Sequence, residues 1–306
     1  MENKKPRTVE EQISVLKFRG MRFENEQSAS LFLSRVSCFR LKHFWTDLLD
    51  NSSGEFKDNV FFEDIVERYE FDKSLRLILF DALEIVEVGL RSRIISVLSL
   101  STGSGLWYLD ETLFENVVYH ERFVLDIKCE FGRSSDFYAR EYILTHSQWK
   151  EKSLDGDSPE AWMILECATF GTLSKMYKNL RSQLPSRSNI ANVFGLYSSR
   201  ELSNWLESLS VLRNVVAHHS LLWNRVFAKK PVNIKSYMGR WLIEGLTEEQ
   251  RGRAYGLISC LLYLCNEIKP DNGLKDQILD LISVHPNVSI ALLGFSGDWM
   301  KQPLWK

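Results

Sequence analysis

Residues 210–220, "SVLRNVVAHHS", bring an arginine, an asparagine and two adjacent histidines into one short stretch, with Val215, Val216 and Ala217 between them. Histidine is the side chain best suited to moving a proton near neutral pH. Arg213, Asn214, His218 and His219 could together perform proton transfer beside a fixed positive charge. Ser198 followed by Glu201 forms a capping box that predicts a helix starting near 199. Its apolar stripe is Leu202, Trp205, Leu206, Leu209, Leu212 and Val216.

At about 100° per residue, Arg213 falls inside that stripe. Asn214 and His218, four apart, share the other flank, and His219 lies near the stripe's edge. An arginine facing inward must be paired or must line a cavity, because an unpaired buried charge is very costly. On one straight helix Arg213 and His218 point apart, so a shared site needs a distortion or a second copy across a dimer interface. The competing reading ties Arg213 to Glu84 or Glu87, with the histidines capping a turn. The pattern is weak by itself. Arg140 and His146 in "REYILTH" also satisfy it and are assigned no role.

Other side chains are weighed in the same way. His43 in "FRLKHFW" sits among aromatics and is expected in the core or at an interface. Glu166 is expected to pair with a buried arginine. Lys/Arg clusters occur at "NKKPR", "RSRI", "KNLRSQLPSR", "NRVFAKK" and "EEQRGR" and read as solvated surface. "NRVFAKK" follows the motif directly, so Arg225, Lys229 and Lys230 could lead a phosphate backbone to it. There is no G-K-[ST] phosphate loop, no G-x-S-x-G elbow and no H-E-x-x-H zinc helix. No metal ligand set and no cofactor is assigned.

These residues belong to a chain of 306 residues and 35.6 kDa, long enough for a large core in one or two domains. Hydrophobic residues make up 44% and charged residues 25%, an ordinary balance for a soluble protein. The net charge of −2 and pI near 6.3 lack the footprint of a strongly basic nucleic-acid binder, so any RNA contact must be local. Cys38, Cys129, Cys167, Cys260 and Cys265 are scattered, with no C-x-x-C pair, which suits a reducing cytoplasm. "MENKKPRTVEEQ" lacks the apolar core of a signal peptide, and "GLISCLLYLC" is about half the length of a bilayer span. The expectation is a cytoplasmic protein.

Helical periodicity dominates. "TVEEQISVLKFRG" opens with a Thr8/Glu11 capping box and ends at Gly20. "NEQSASLFLSRVSCFRLKHFWTDLLD" keeps helical spacing and grows aromatic. Residues 74–100 predict a long, deeply buried helix whose Glu84, Glu87, Arg91 and Arg93 are spaced to pair. Residues 101–106 and 151–160 read as loops, with a helix start at Pro159. Helices are predicted again in "EAWMILECATFGTLSKMYKNL", "SRELSNWLESLSVLRNVV", "TEEQRGRAYGLISCLLYLCNEI" and around 274–284, before an irregular aromatic tail. The reading is an all-α protein of roughly ten helices with no point at which to cut two domains.

Read end to end, the chain resembles the Abi family of bacterial abortive-infection proteins, the AbiD/AbiF group. "KPRTVEEQISVLKFRGM" looks like the family's opening. "SRVSCFRLKHFW" looks like its N-x-Y-R-L-x-x-Y-W element, and "FDKSLRLILFDALEIVEVGLRSRI" like its D-x-x-L-R-x-x-x-x-D-A-x-E helix. "AWMILECATFGTLSKMYKNL", "LRNVVAHHSLLWNR" and "GFSGDWMKQPLW" continue the likeness over nearly all 306 residues. Departures fall in the second element, where Cys38, Phe39 and Phe44 replace the usual tyrosines and Lys42 and His43 are untypical.

That family is similar to HEPN ribonucleases, whose site uses an R-[polar]-x-x-x-H motif. Arg213, Asn214 and His218 match it, and His219 is the extra histidine common in the Abi version. The resemblance implies an HEPN-like helical bundle with additional N- and C-terminal helices, one unit over 1–306 with the motif helix inside 160–230. It also implies a homodimer with a composite site and metal-independent RNA cleavage by 2′-hydroxyl attack, as an effector of phage defence. His218 would be general base or acid, Arg213 would stabilise charge on phosphorus, Asn214 would orient, and His219 would support. A non-catalytic protein that grips a small structured RNA is the alternative. A helical interaction protein with a dimer-packing patch is a third.

Overall fold

The chain's helical periodicity is realised in the computed structural model, which describes residues 5–154 and 156–306. It holds thirteen α-helices, eight short 3-10 turns and no β-strand among those residues. The all-α expectation is met. The first residues of "NKKPR" lie outside the described part.

The helices are α1 (Val9–Phe18), α2 (Glu26–Leu33), α3 (Cys38–Leu41), α4 (Phe62–Thr102), α5 (Val117–Arg133), α6 (Phe137–Thr145), α7 (Ala161–Ile164), α8 (Phe170–Asn179), α9 (Pro185–Val193), α10 (Ser199–Ala217), α11 (Glu248–Arg251), α12 (Ala254–Ile268) and α13 (Leu274–Val284). The 41-residue α4 is the axis, about 60 Å long, and α8, α9, α10, α12 and α13 pack against it. It starts twelve residues before the predicted 74 and stops where Gly103 turns left-handed, φ +66°.

The apolar run "GLISCLLYLC" forms α12, with Ala254 to Cys265 all buried against the axis. A Cβ on Gly89 would lie 3.2 Å from the Ile268 side chain, so this glycine sets how closely α12 approaches α4. No helix of the described residues is long and apolar enough to cross a membrane.

Three predicted helices are broken. The 25–50 segment divides into α2, α3 and two 3-10 turns, because Ser37 restarts the helix by accepting the Arg40 N–H. The 160–180 segment divides at Ala168, where Thr169 caps α8. The 247–268 segment divides at Gly252, and the chain then folds so tightly that a Cβ on Gly256 would sit 2.3 Å from the Gln250 carbonyl oxygen. The aromatic tail is short 3-10 turns that bury Phe295, Trp299 and Trp305 beside Tyr255.

Candidate active site

Ser198 caps α10 by accepting the Glu201 N–H at 3.2 Å. The reciprocal half of the predicted box is not made; the Glu201 carboxylate accepts the Lys235 N–H instead. All six residues of the predicted stripe are buried, and α10 packs on α4, α8, α9 and α12. The motif thus rides on a helix held from several sides.

Arg213 is paired, as its place in the stripe required, and with Glu87, one of the two carboxylates the competing reading named. Its side chain keeps 32% of its surface exposed while its Nε lies 3.4 Å from Glu87 Oε2. A long side chain can leave the stripe along its methylenes and deliver its charge to the edge. Glu87 also pairs with Arg91 at 3.5 Å, and Arg91 reaches Glu166 at 3.5 Å and donates to the Ala168 carbonyl. The predicted pairing of Glu166 is therefore made. The contact uses only Nε, and the Arg213 Nη nitrogens meet no acceptor among the described residues.

The helix stops immediately after Ala217. His218 has φ −88° and ψ 12°, and His219 takes the left-handed region at φ +55°. The His219 N–H donates to the Val216 carbonyl at 3.1 Å and the Ser220 N–H to the Val215 carbonyl at 2.9 Å. That pair of bonds is a Schellman ending, whose left-handed position is usually glycine. A histidine there stores about 1 kcal/mol or more of backbone strain. The Arg40 guanidinium donates to the His219 carbonyl and braces the turn.

Asn214, His218 and His219 are all exposed, and neither histidine ring has a partner among the described residues. Asn214 meets His218 through the backbone, its carbonyl accepting the His218 N–H at 3.0 Å. The left-handed residue falls after His218, and no contact joins the Arg213 and His218 side chains among the described residues.

Just beyond the motif, Asp72 of α4 takes two backbone N–H bonds on one oxygen, from Leu222 at 2.9 Å and Trp223 at 2.7 Å. Its other oxygen accepts Arg76 Nε at 3.0 Å, and both side chains are buried. Burial pushes the Asp72 carboxyl up, while the Arg76 guanidinium and the two N–H groups pull it down. Sequence reading assigned Asp72 no role, although an acid four residues before an arginine on a greasy helix was a usable signal.

The cations after the motif have separate fates. Lys229 pairs with Glu207 at 2.7 Å and Lys230 with Glu248 at 2.6 Å, each sharing its carboxylate with a second cation, Lys178 and Arg251 respectively. Arg225 spends its Nε on the Leu221 carbonyl at 2.6 Å and lines an open cleft of about 650 Å³. Arg40 and His43 line the same cleft. His43 is exposed, which corrects the core half of its core-or-interface expectation: α3 and the turn after it bury Leu41, Phe44 and Trp45 and turn His43 outward. Among the described residues no three His, Cys, Asp or Glu side chains gather as a metal would need.

The family model described as Abi-like protein matches residues 31–224, well over half of the chain, and takes in α4, α10 and the whole motif. No curated protein and no solved structure matches the chain.

Proposed function

This chain belongs to the Abi-like protein family, which points to abortive infection and phage defence, and from that premise we propose that it acts there as a metal-independent endoribonuclease. The observation that carries the reading is the end of α10. There the motif residues stand exposed on a clamped helix, with His219 strained and braced by Arg40. Strain of this kind gathers at functional sites.

The reaction needs two proton transfers. In a composite site of two copies, His218 of one copy takes the 2′-hydroxyl proton and the 2′ oxygen bonds to phosphorus. The P–O5′ bond breaks, and His218 of the second copy protonates the leaving oxygen. The products are a 2′,3′-cyclic phosphate and a 5′-hydroxyl. Arg213, turned by Glu87 through Nε alone, keeps its Nη groups for the phosphate oxygens, where a guanidinium binds bidentately. Asn214 orients the phosphate or the imidazole, and His219 supports. Arg225, Lys229 and Lys230 belong to the RNA-approach surface, with Arg225 the least compensated of the three. Support for a second copy comes from α4, which exposes Leu77, Phe80 and Val88 on the face bordered by Glu87.

The test is incubation with total RNA in excess EDTA, with analysis of the RNA ends and sizing of the protein. Wild type should be a homodimer that leaves cyclic phosphates, and His218→Ala should be slower by about 10²–10⁴-fold. Equal cleavage by wild type, Arg213→Ala and His218→Ala would falsify the assignment.

The Arg213–Glu87 pair favours a second reading, in which the motif braces the fold. Arg213→Ala would then lose helicity or dimer in circular dichroism and sizing. A discrete RNA that co-purifies uncleaved would instead favour the non-catalytic RNA-binding alternative.

A further inference from the structure

We infer that the cleft beside the motif is a binding subsite for single-stranded RNA, in which the Phe39 ring stacks on an unpaired base; this rests on the ribonuclease reading above. Phe39 stands on the four-residue α3 with 78% of its surface exposed. Its backbone is fixed: Ser37 caps the turn and Leu41 is fully buried. His43 meets Phe39 edge-on at 6.2 Å and 86°, which leaves a ring face for another partner.

A single exposed aromatic is ordinary on a protein surface. This one forms the shared rim of two depressions. One is the 650 Å³ cleft that also carries Arg40, His43 and Arg225; the other, of about 1290 Å³, carries Arg19 and Lys42 together with Glu10 and Glu11.

Charge selects the ligand. The chain has 40 acidic and 38 basic residues, yet among the described residues no aspartate or glutamate lines the smaller cleft. Two guanidinium groups and an imidazole there suit a phosphodiester backbone. Trp223 at the same cleft has a buried indole N–H with no acceptor among the described residues. Arg40 joins the cleft to the motif, because its guanidinium holds the His219 carbonyl. A strand seated here therefore lies against the same turn that carries His218.

Stacking selects the form of the ligand. A base inside a duplex presents no free face, whereas an unpaired base stacks on an aromatic ring with little sequence preference. The pairing of a cationic groove with one rigid aromatic is the arrangement used for single strands.

The experiment measures binding of a short fluorescent single-stranded RNA to the full chain carrying His218→Ala, so that the probe stays intact. Phe39→Ala in that background should weaken binding by about 5- to 150-fold. Phe39→Trp should restore it, and 2-aminopurine in the probe should be quenched by the aromatic variants only. Arg225→Glu should weaken binding and lower the slope of log affinity against log salt by about one. The same RNA as a duplex should bind more weakly than the single strand.

Unchanged affinity in Phe39→Ala, or duplex binding as tight as single-strand binding, would overturn the subsite. If wild type still cleaved RNA, the ribonuclease reading would survive that result. A wild type that neither binds nor cleaves RNA would overturn both.

Discussion

Two segments satisfy the arginine–histidine spacing, and both end a helix with the histidine at its C-cap: Arg140 to His146 on α6 and Arg213 to His218 on α10. Their surroundings differ. Helix α6 has nine residues and buries Ala139 alone, while α10 has nineteen and buries eight. The His146 ring is used up locally: it stacks on Tyr142 at 3.7 Å and 9°, and its Nδ1 lies 2.9 Å from the Tyr142 carbonyl. The His218 ring meets no partner among the described residues, and the guanidinium upstream of it is turned by Glu87 from another helix. A usable site thus requires a rigid support and an uncommitted histidine, and spacing reports neither.

The largest effect is expected where the support itself is removed. The chain after His218 is tied to the axis by Asp72, so Asp72→Ala leaves Arg76 charged and buried. It should destabilise the protein by about 3–5 kcal/mol in equilibrium urea unfolding. After His146 the comparable tie is the partly exposed Asp157, which accepts the Gln148 N–H at 3.3 Å. Asp157→Ala should cost less than about 1 kcal/mol, and comparable losses at the two sites would erase the contrast.

Next comes the charge. Arg213→Ala should lower RNA cleavage by about 10²–10³-fold with the dimer retained, while Arg140→Ala leaves the rate unchanged. A variant that falls apart in sizing would assign Arg213 to bracing.

The strain at His219 gives a smaller effect of opposite sign. His219→Gly should raise unfolding stability by about 1 kcal/mol, because glycine accepts the left-handed conformation without penalty. Cleavage should fall in the same variant. A gain in stability with full activity would show that the strained histidine serves no chemistry.

The smallest effect concerns pH. Burial raises the Glu207 carboxyl, but hydrogen bonds and charge from Lys178 and Lys229 outweigh it and hold it below the ordinary range. A depressed folded pKa contributes stability that is present above the unfolded value, about 4.3, and is lost as pH falls through the folded value. Glu207→Gln should therefore be less stable than wild type by a few tenths of a kcal/mol to about 1 kcal/mol at pH 7, with the difference closing as pH falls below the unfolded value. A constant difference across that range would assign it to packing.

Much of this architecture was legible because it is local. The Thr8 capping box, the buried stripe of α10 and the turn at Gly103 depend on near neighbours in sequence. What stayed hidden is set by distant partners. The competing reading names Glu87, 126 residues away, as a partner of Arg213, but not that the guanidinium stays partly exposed there, and the grip of Asp72 on Leu222, which spans 150, went unseen. His43 looked like core or interface because its neighbours are aromatic, but turns at Ser37 and Trp45 bury Phe44 and Trp45 while facing the imidazole and Phe39 outward. The competing reading places the histidines in a capping turn, but the Schellman form of that turn was hidden, because histidine occupies the position where glycine would have announced it.

The most direct test compares the two histidines in one assay. Wild type, His218→Ala and His146→Ala would be incubated with RNA in excess EDTA, and cyclic-phosphate ends would be counted over time. Equal rates for wild type and His146→Ala, with loss of cleavage in His218→Ala, is the predicted result. Cleavage by His218→Ala at the wild-type rate would contradict the account.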